Sequence, residues 1–81
     1  MITVYTKEHC PACRSTERYL NEHAVKYASK KLVGAEGERL LPESQELIDK
    51  FRSKGYAQFP VVVTPDDAWC GFRPDKLKNL L

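Results

Sequence analysis

The spacing of apolar positions along the chain switches between a strand-like and a helical period, and the switches mark out its elements. Ile2 and Val4, with the β-prone Thr3, Tyr5 and Thr6, predict a short first strand. From Pro11 the positions Ala12, Thr16, Tyr19, Leu20 and Ala24 recur at helical spacing, so a helix is expected to begin immediately after Cys10. Proline suits that first helical position because its missing N–H would find no partner there anyway. Val25, Tyr27 and Ser29 alternate with Lys26, Ala28 and Lys30, which predicts a half-exposed strand over residues 25–30. Val33 to Glu38, with Gly34 and Gly37, reads as a loop. Pro42-Glu43 then opens a second helix whose apolar face is Leu47, Ile48 and Phe51, with Gly55 as its C-terminal cap. Pro60 starts a buried strand over Val61–Val63, and Pro65-Asp66-Asp67 marks a turn. Ala68–Cys70 closes a hairpin, and Arg73-Pro74-Asp75 opens a last helix with Leu77, Leu80 and Leu81 on one side. The expected order is βαβαββα.

Composition narrows what this α/β chain is expected to do. Its 81 residues, 42% of them apolar, suit one domain spanning 1–81 without a linker. A chain of this size buries roughly 60% of its unfolded surface, which leaves little room to enclose a large cofactor. None is expected, and the chemistry should sit in surface side chains. A net charge of +2, with Lys30-Lys31 as the one basic doublet, is too mild to point to nucleic acid. No run approaches the ~20 apolar residues that span a membrane. The first residues lack the charged and apolar regions of a signal peptide, so a reducing cytoplasm is the expected location. There a Cys-x-x-Cys is more often catalytic or metal-binding than a structural staple.

Cys10-Pro11-Ala12-Cys13 is the strongest chemical signal. Residues three apart at a helix start lie on one turn, within disulfide reach. Unpaired N–H groups and the helix dipole favour a thiolate at Cys10, below the ordinary thiol value of about 8.5. Cys10 is therefore expected to attack a disulfide and Cys13 to resolve the mixed disulfide. Lys7 and Arg14 would help that thiolate, and Glu8 would oppose it. A zinc half-site is the competing reading, drawing on His9, His23 and Cys70, although no second ligand pair stands at finger spacing. Cys70 is otherwise expected to be an inert small residue. The aromatic pair Trp69 and Phe72 suits a core as well as a surface.

Taken together, Tyr5-Thr6-Lys7, the Cys10–Cys13 pair, Phe59-Pro60-Val61-Val62-Val63 and Trp69-Cys70-Gly71-Phe72-Arg73-Pro74-Asp75 resemble the NrdH-redoxins. The Trp-x-Gly-Phe-Arg-Pro stretch is the most specific part of that likeness. The resemblance implies a thioredoxin-like fold, a central four-stranded mixed sheet flanked by three helices. It implies a dithiol–disulfide oxidoreductase that takes electrons from NADPH through thioredoxin reductase and reduces the disulfide of class Ib ribonucleotide reductase. Carried over by position, Cys10 attacks, Cys13 resolves and Pro60 is a cis-proline. Pro11, Ala12, Phe59 and Pro60 are then expected to meet the partner, with Trp69, Phe72 and Arg73 shaping the surface beside the site. A monomer is expected. Three departures stand out. The family usually has serine in place of Cys70 and reads Cys-(Met or Val)-Gln-Cys at its active site, and the likeness is weak between Ala28 and Glu46. A glutathione-dependent glutaredoxin is the alternative, although Gln58-Phe59-Pro60 replaces its Thr-Val-Pro and residues 69–72 replace its Gly-Gly-x-Asp turn. A non-catalytic thioredoxin-fold binding module is the reading from another class.

Overall fold

The alternation of β-branched residues is realised in a four-stranded sheet with unlike faces. The computed structural model describes residues 1–81. Strand β1 (Thr3–Lys7) leads through α1 (Pro11–Glu22) to β2 (Ala28–Val33), and α2 (Ser44–Ser53) follows. Strands β3 (Val61–Val63) and β4 (Ala68–Cys70) form the hairpin, and α3 (Pro74–Leu77) runs on into a single 3₁₀ turn, Lys78–Leu80. The sheet order is β2-β1-β3-β4. β1 pairs with β2 in parallel and with β3 antiparallel, and β3 pairs with β4 antiparallel. A parallel neighbour needs a crossover, and α1 supplies it. The expected βαβαββα order and mixed sheet are present.

Because strand side chains alternate, adjacent residues of β1 and β3 enter different cores. Val4 and Val62 pack with Leu20 of α1, Trp69 of β4 and Leu77 of α3. Val61 packs with Leu32 of β2 and with Ile48 and Phe51 of α2, joined by Tyr5 from β1.

Four expectations are corrected. The second strand runs over Ala28–Val33, not 25–30. The chain leaves α1 through His23 and Ala24, whose φ is 56°, and the Val25 N–H bonds the Leu20 carbonyl at 2.9 Å. Val25 and Tyr27 are thus spent packing the linker onto the first core, and pairing with β1 begins only at Ala28. Val33 belongs to the strand rather than the loop; after it the chain turns through Gly34–Glu38 and folds back, so that Arg39 bridges Val33. The second helix begins at Ser44, because the buried Ser44 hydroxyl accepts the Leu41 N–H at 3.0 Å and holds Pro42-Glu43 in the preceding turn. Leu81 lies beyond the last turn, 63% exposed, while Leu77 is fully buried. No helix is long and apolar enough to cross a membrane.

Candidate active site

Lys7 ends β1, and the turn to α1 passes through His9 in the left-handed region at φ 55°. Cys10 is then extended (φ −122°, ψ 96°), as an N-cap residue must be, with Pro11 as the first helical residue. Its sulfur takes the capping role that serine or aspartate fills elsewhere. The Cys13 N–H donates to Cys10 Sγ at 3.2 Å, and the Arg14 N–H donates to the Cys10 carbonyl at 3.2 Å. Cys10 and Cys13 are joined as a disulfide, with Cα atoms 5.2 Å apart. Their exposures are 5% and 3%, so the pair is largely buried.

This geometry favours a thiolate on reduction. The first turn of α1 holds no acidic residue to cancel the dipole, and one N–H already points at Cys10 Sγ. Glu8, expected to oppose the thiolate, is paired: Lys31 Nζ donates to its carboxylate at 2.8 Å and holds its pKa below the ordinary carboxylate value. That pair lines a polar hollow behind the disulfide together with Thr6, Cys13, Arg14 and Glu17.

A second, more open groove also reaches Cys10 and shares Lys7 and His9 with that hollow. It is lined by Cys10, Pro11 and Ala12 from the start of α1 and by Ala57, Gln58 and Phe59 from the segment before Pro60, with Lys7, His9 and Arg52 completing it. Phe59 precedes Pro60, and the bond between them is cis. Buried Pro60 is fixed through its carbonyl, which accepts the Gly71 N–H at 2.8 Å. Gly71 has φ +80°, a conformation that favours glycine, and a Cβ there would stand 3.2 Å from the exposed Gln58 Oε1, which a small shift of that side chain would relieve.

The remaining sequence candidates divide. Trp69 is corrected as a surface residue: it is 4% exposed and packed into the first core, with its indole N–H unpartnered. Phe72 is 40% exposed, and Arg73 is exposed and clamps Asp75 through two hydrogen bonds of 3.0 and 2.8 Å. Neither lines the groove. Cys70 is a free, half-buried thiol paired across the strands with Val61. The zinc candidates are scattered, since the His23 ring donates to the Tyr19 carbonyl at 2.8 Å and no three potential ligands gather anywhere. Arg52, in the last turn of α2, escaped the sequence reading; a lone arginine near a helix C-terminus carries no mark of what it faces.

The family model for glutaredoxin matches residues 2–69. The glutaredoxin-like protein NrdH of Salmonella typhimurium is 33% identical over 79 residues, covering 98% of this chain and 86% of that protein. NrdH of Lactococcus lactis subsp. cremoris is 31% identical over 80 residues, covering 99% of both. This chain belongs to the NrdH-redoxins. The solved NrdH-redoxin of Escherichia coli superposes with a TM-score of 0.80 at 29% identity, over 99% of this chain and 93% of that one, so the fold is thioredoxin-like. As an NrdH-redoxin the chain is a thiol–disulfide oxidoreductase, and Cys10–Cys13 is its redox-active disulfide.

Proposed function

We propose that this NrdH-redoxin is reduced by thioredoxin reductase at the expense of NADPH and passes the two electrons to the disulfide of class Ib ribonucleotide reductase. It would act in the reducing cytoplasm as a single-domain monomer. The Cys10 thiolate attacks one sulfur of the target disulfide, forming a Cys10–target disulfide and releasing the other target sulfur as a thiolate. The Cys13 thiolate then attacks Cys10 Sγ, which releases the second target sulfur and closes the Cys10–Cys13 disulfide. The two target thiolates take up the protons that Cys10 and Cys13 gave up. The reductase returns the pair to the dithiol.

The observation that carries this reading is the groove beside Cys10. An extended target segment would lie between Pro11-Ala12 and Phe59, next to the cis-Pro60. The backbone N–H and C=O of Phe59 have no partner in the chain, which leaves them free to pair with such a segment. Gln58-Phe59-Pro60 and Trp69-Cys70-Gly71-Phe72 stand in place of the Thr-Val-Pro segment and the Gly-Gly-x-Asp turn with which a glutaredoxin holds glutathione. The similar protein from Escherichia coli is described as having a thioredoxin-like activity profile.

The test is deoxyribonucleotide formation by a class Ib ribonucleotide reductase supplied with NADPH, thioredoxin reductase and this protein. Multiple turnovers that require all three are expected. Product limited to the ribonucleotide reductase's own stored dithiols would overturn the proposal.

A further inference from the structure

Closing the Cys10–Cys13 disulfide sheds two protons, and the exchange described so far names no group that receives the second. Cys10 is served by its place at the N-cap, where the helix dipole and the Cys13 N–H favour a thiolate. Cys13 stands inside the first turn, 3% exposed. A thiol of ordinary acidity is mostly protonated at neutral pH, so it needs a proton acceptor when it attacks.

Cys13 lines the polar hollow, which measures about 200 Å³, room for several waters. Lys7, Glu8 and His9 enter that hollow from the end of β1 and the turn after it, Lys31 from β2, and Arg14 and Glu17 from α1. Lysine and arginine donate protons to hydrogen bonds but do not accept them. Glu8 is held by Lys31, and His9 is shared with the open groove and adjoins Cys10 rather than Cys13. Glu17 differs from all of these. It is half-buried, takes part in none of the three ion pairs of the fold, and follows Cys13 by four residues on α1. Residues so spaced lie one above the other on a helix face, about 5–6 Å apart at Cβ. Tyr27 lies beside Glu17 from the linker before β2; burial, and then the Glu17 charge, raise its pKa, so it keeps its proton.

Resting on the reading of Cys10 as attacker and Cys13 as resolver, we propose that Glu17 is the proton acceptor for Cys13, acting through water in the hollow. As the Cys13 Sγ–Cys10 Sγ bond forms, the Cys10–target bond breaks and the target sulfur leaves with that bond's electron pair. The Cys13 proton passes to the Glu17 carboxylate. Glu17 then yields it to solvent, from which the target thiolate is protonated, and the carboxylate is restored.

The test isolates the resolving step. Reduced protein is mixed with saturating linear peptide disulfide and quenched in acid at intervals, and the Cys10–peptide mixed disulfide is counted by mass spectrometry. Its decay, independent of peptide concentration, is the attack by Cys13. In the native chain that decay should change less than about threefold from pH 6 to pH 8, because carboxylates are ionised throughout that range. In Glu17→Gln it should be roughly tenfold or more slower at pH 6.5 and rise about tenfold per pH unit, since hydroxide is then the remaining base. Added acetate should restore part of the rate lost in Glu17→Ala. Glu22→Gln, at the exposed end of α1 and outside the hollow, should match the native chain. A native decay that itself rises tenfold per pH unit would overturn the proposal. So would a Glu17→Gln decay that keeps the native pH profile, or a Glu17→Ala decay indifferent to acetate. Each of these leaves the oxidoreductase reading standing. A native chain that reduces no peptide at all would overturn both.

Discussion

On one face of the sheet, α1 and α3 close over Val4, Leu20, Val62, Trp69 and Leu77, four of them at no more than 0% exposure and Trp69 at 4%. On the other, α2 covers Leu32, Ile48, Phe51 and Val61, yet its C-terminal end and the segment before Pro60 stay open as the groove beside Cys10. The closed face carries no reacting group. It fixes the first turn of α1, and hence Cys10 and Cys13, relative to β3 and Pro60. The open face gives up some burial and leaves the groove in which we propose that a target segment lies. Stability and recognition are therefore divided between the faces, and mutations should separate them.

The largest effect should come at the point where the faces meet. Cys10→Ser removes the attacking sulfur, so disulfide reduction should fall to background while the fold survives. Cys13→Ser should instead accumulate a stable mixed disulfide with the target, visible by mass spectrometry. Full turnover in either variant would break the assignment of roles.

On the closed face, Leu20→Ala should cost about 2–5 kcal/mol in urea unfolding, because a fully buried leucine leaves a cavity between α1 and β1. For a domain this small that is much of the total stability. Gly71→Ala links the two faces. Its φ of +80° should cost about 1–2 kcal/mol, and the new methyl, 3.2 Å from Gln58 Oε1, should slow exchange as well. On the open face, Phe59→Ala should cost about 1–2 kcal/mol, less than Leu20→Ala because Phe59 is only half-buried against the second core, and should lower kcat/KM for a peptide disulfide roughly fivefold to tenfold. Equal losses of stability from Leu20→Ala and Phe59→Ala would erase the distinction between the faces.

The smallest effect concerns acid. Lys31 beside Glu8, Lys76 beside Asp67 and Arg73 beside Asp75 each lower the carboxylate's pKa below its ordinary value. A lowered folded-state pKa contributes stability above the unfolded value, 4.5 for Glu8 and 3.8 for the aspartates, and loses it as pH falls through the folded value. All three carboxylates are solvent-exposed, so the contribution is minor and screened by salt. Urea midpoints should drop slightly more between pH 5 and pH 3 at low salt than at high salt, and Lys31→Gln should remove Glu8's share of that difference.

The parts of the fold that sequence revealed are those where one residue type has one physical use. Pro11 after Cys10 marked the helix start, Val61–Val63 marked the buried strand, and Gly55 marked the end of α2. The second strand was misplaced because Val25 and Tyr27 alternate like strand residues while packing a linker onto the first core. Trp69 misled for a related reason: the motif that marks the family locates it in sequence but says nothing about which face of β4 it takes. Arg52 stayed hidden because its place in the groove depends on where α2 ends relative to Phe59, a tertiary fact without a local signature.

The most direct test of the account is NADPH oxidation with a protein disulfide as acceptor, run in parallel with two electron sources. One reaction contains thioredoxin reductase, the other glutathione and glutathione reductase. The account predicts sustained oxidation with thioredoxin reductase, abolished by Cys10→Ser, and none above background with glutathione. Turnover only in the glutathione reaction would contradict it and make the groove a glutathione site.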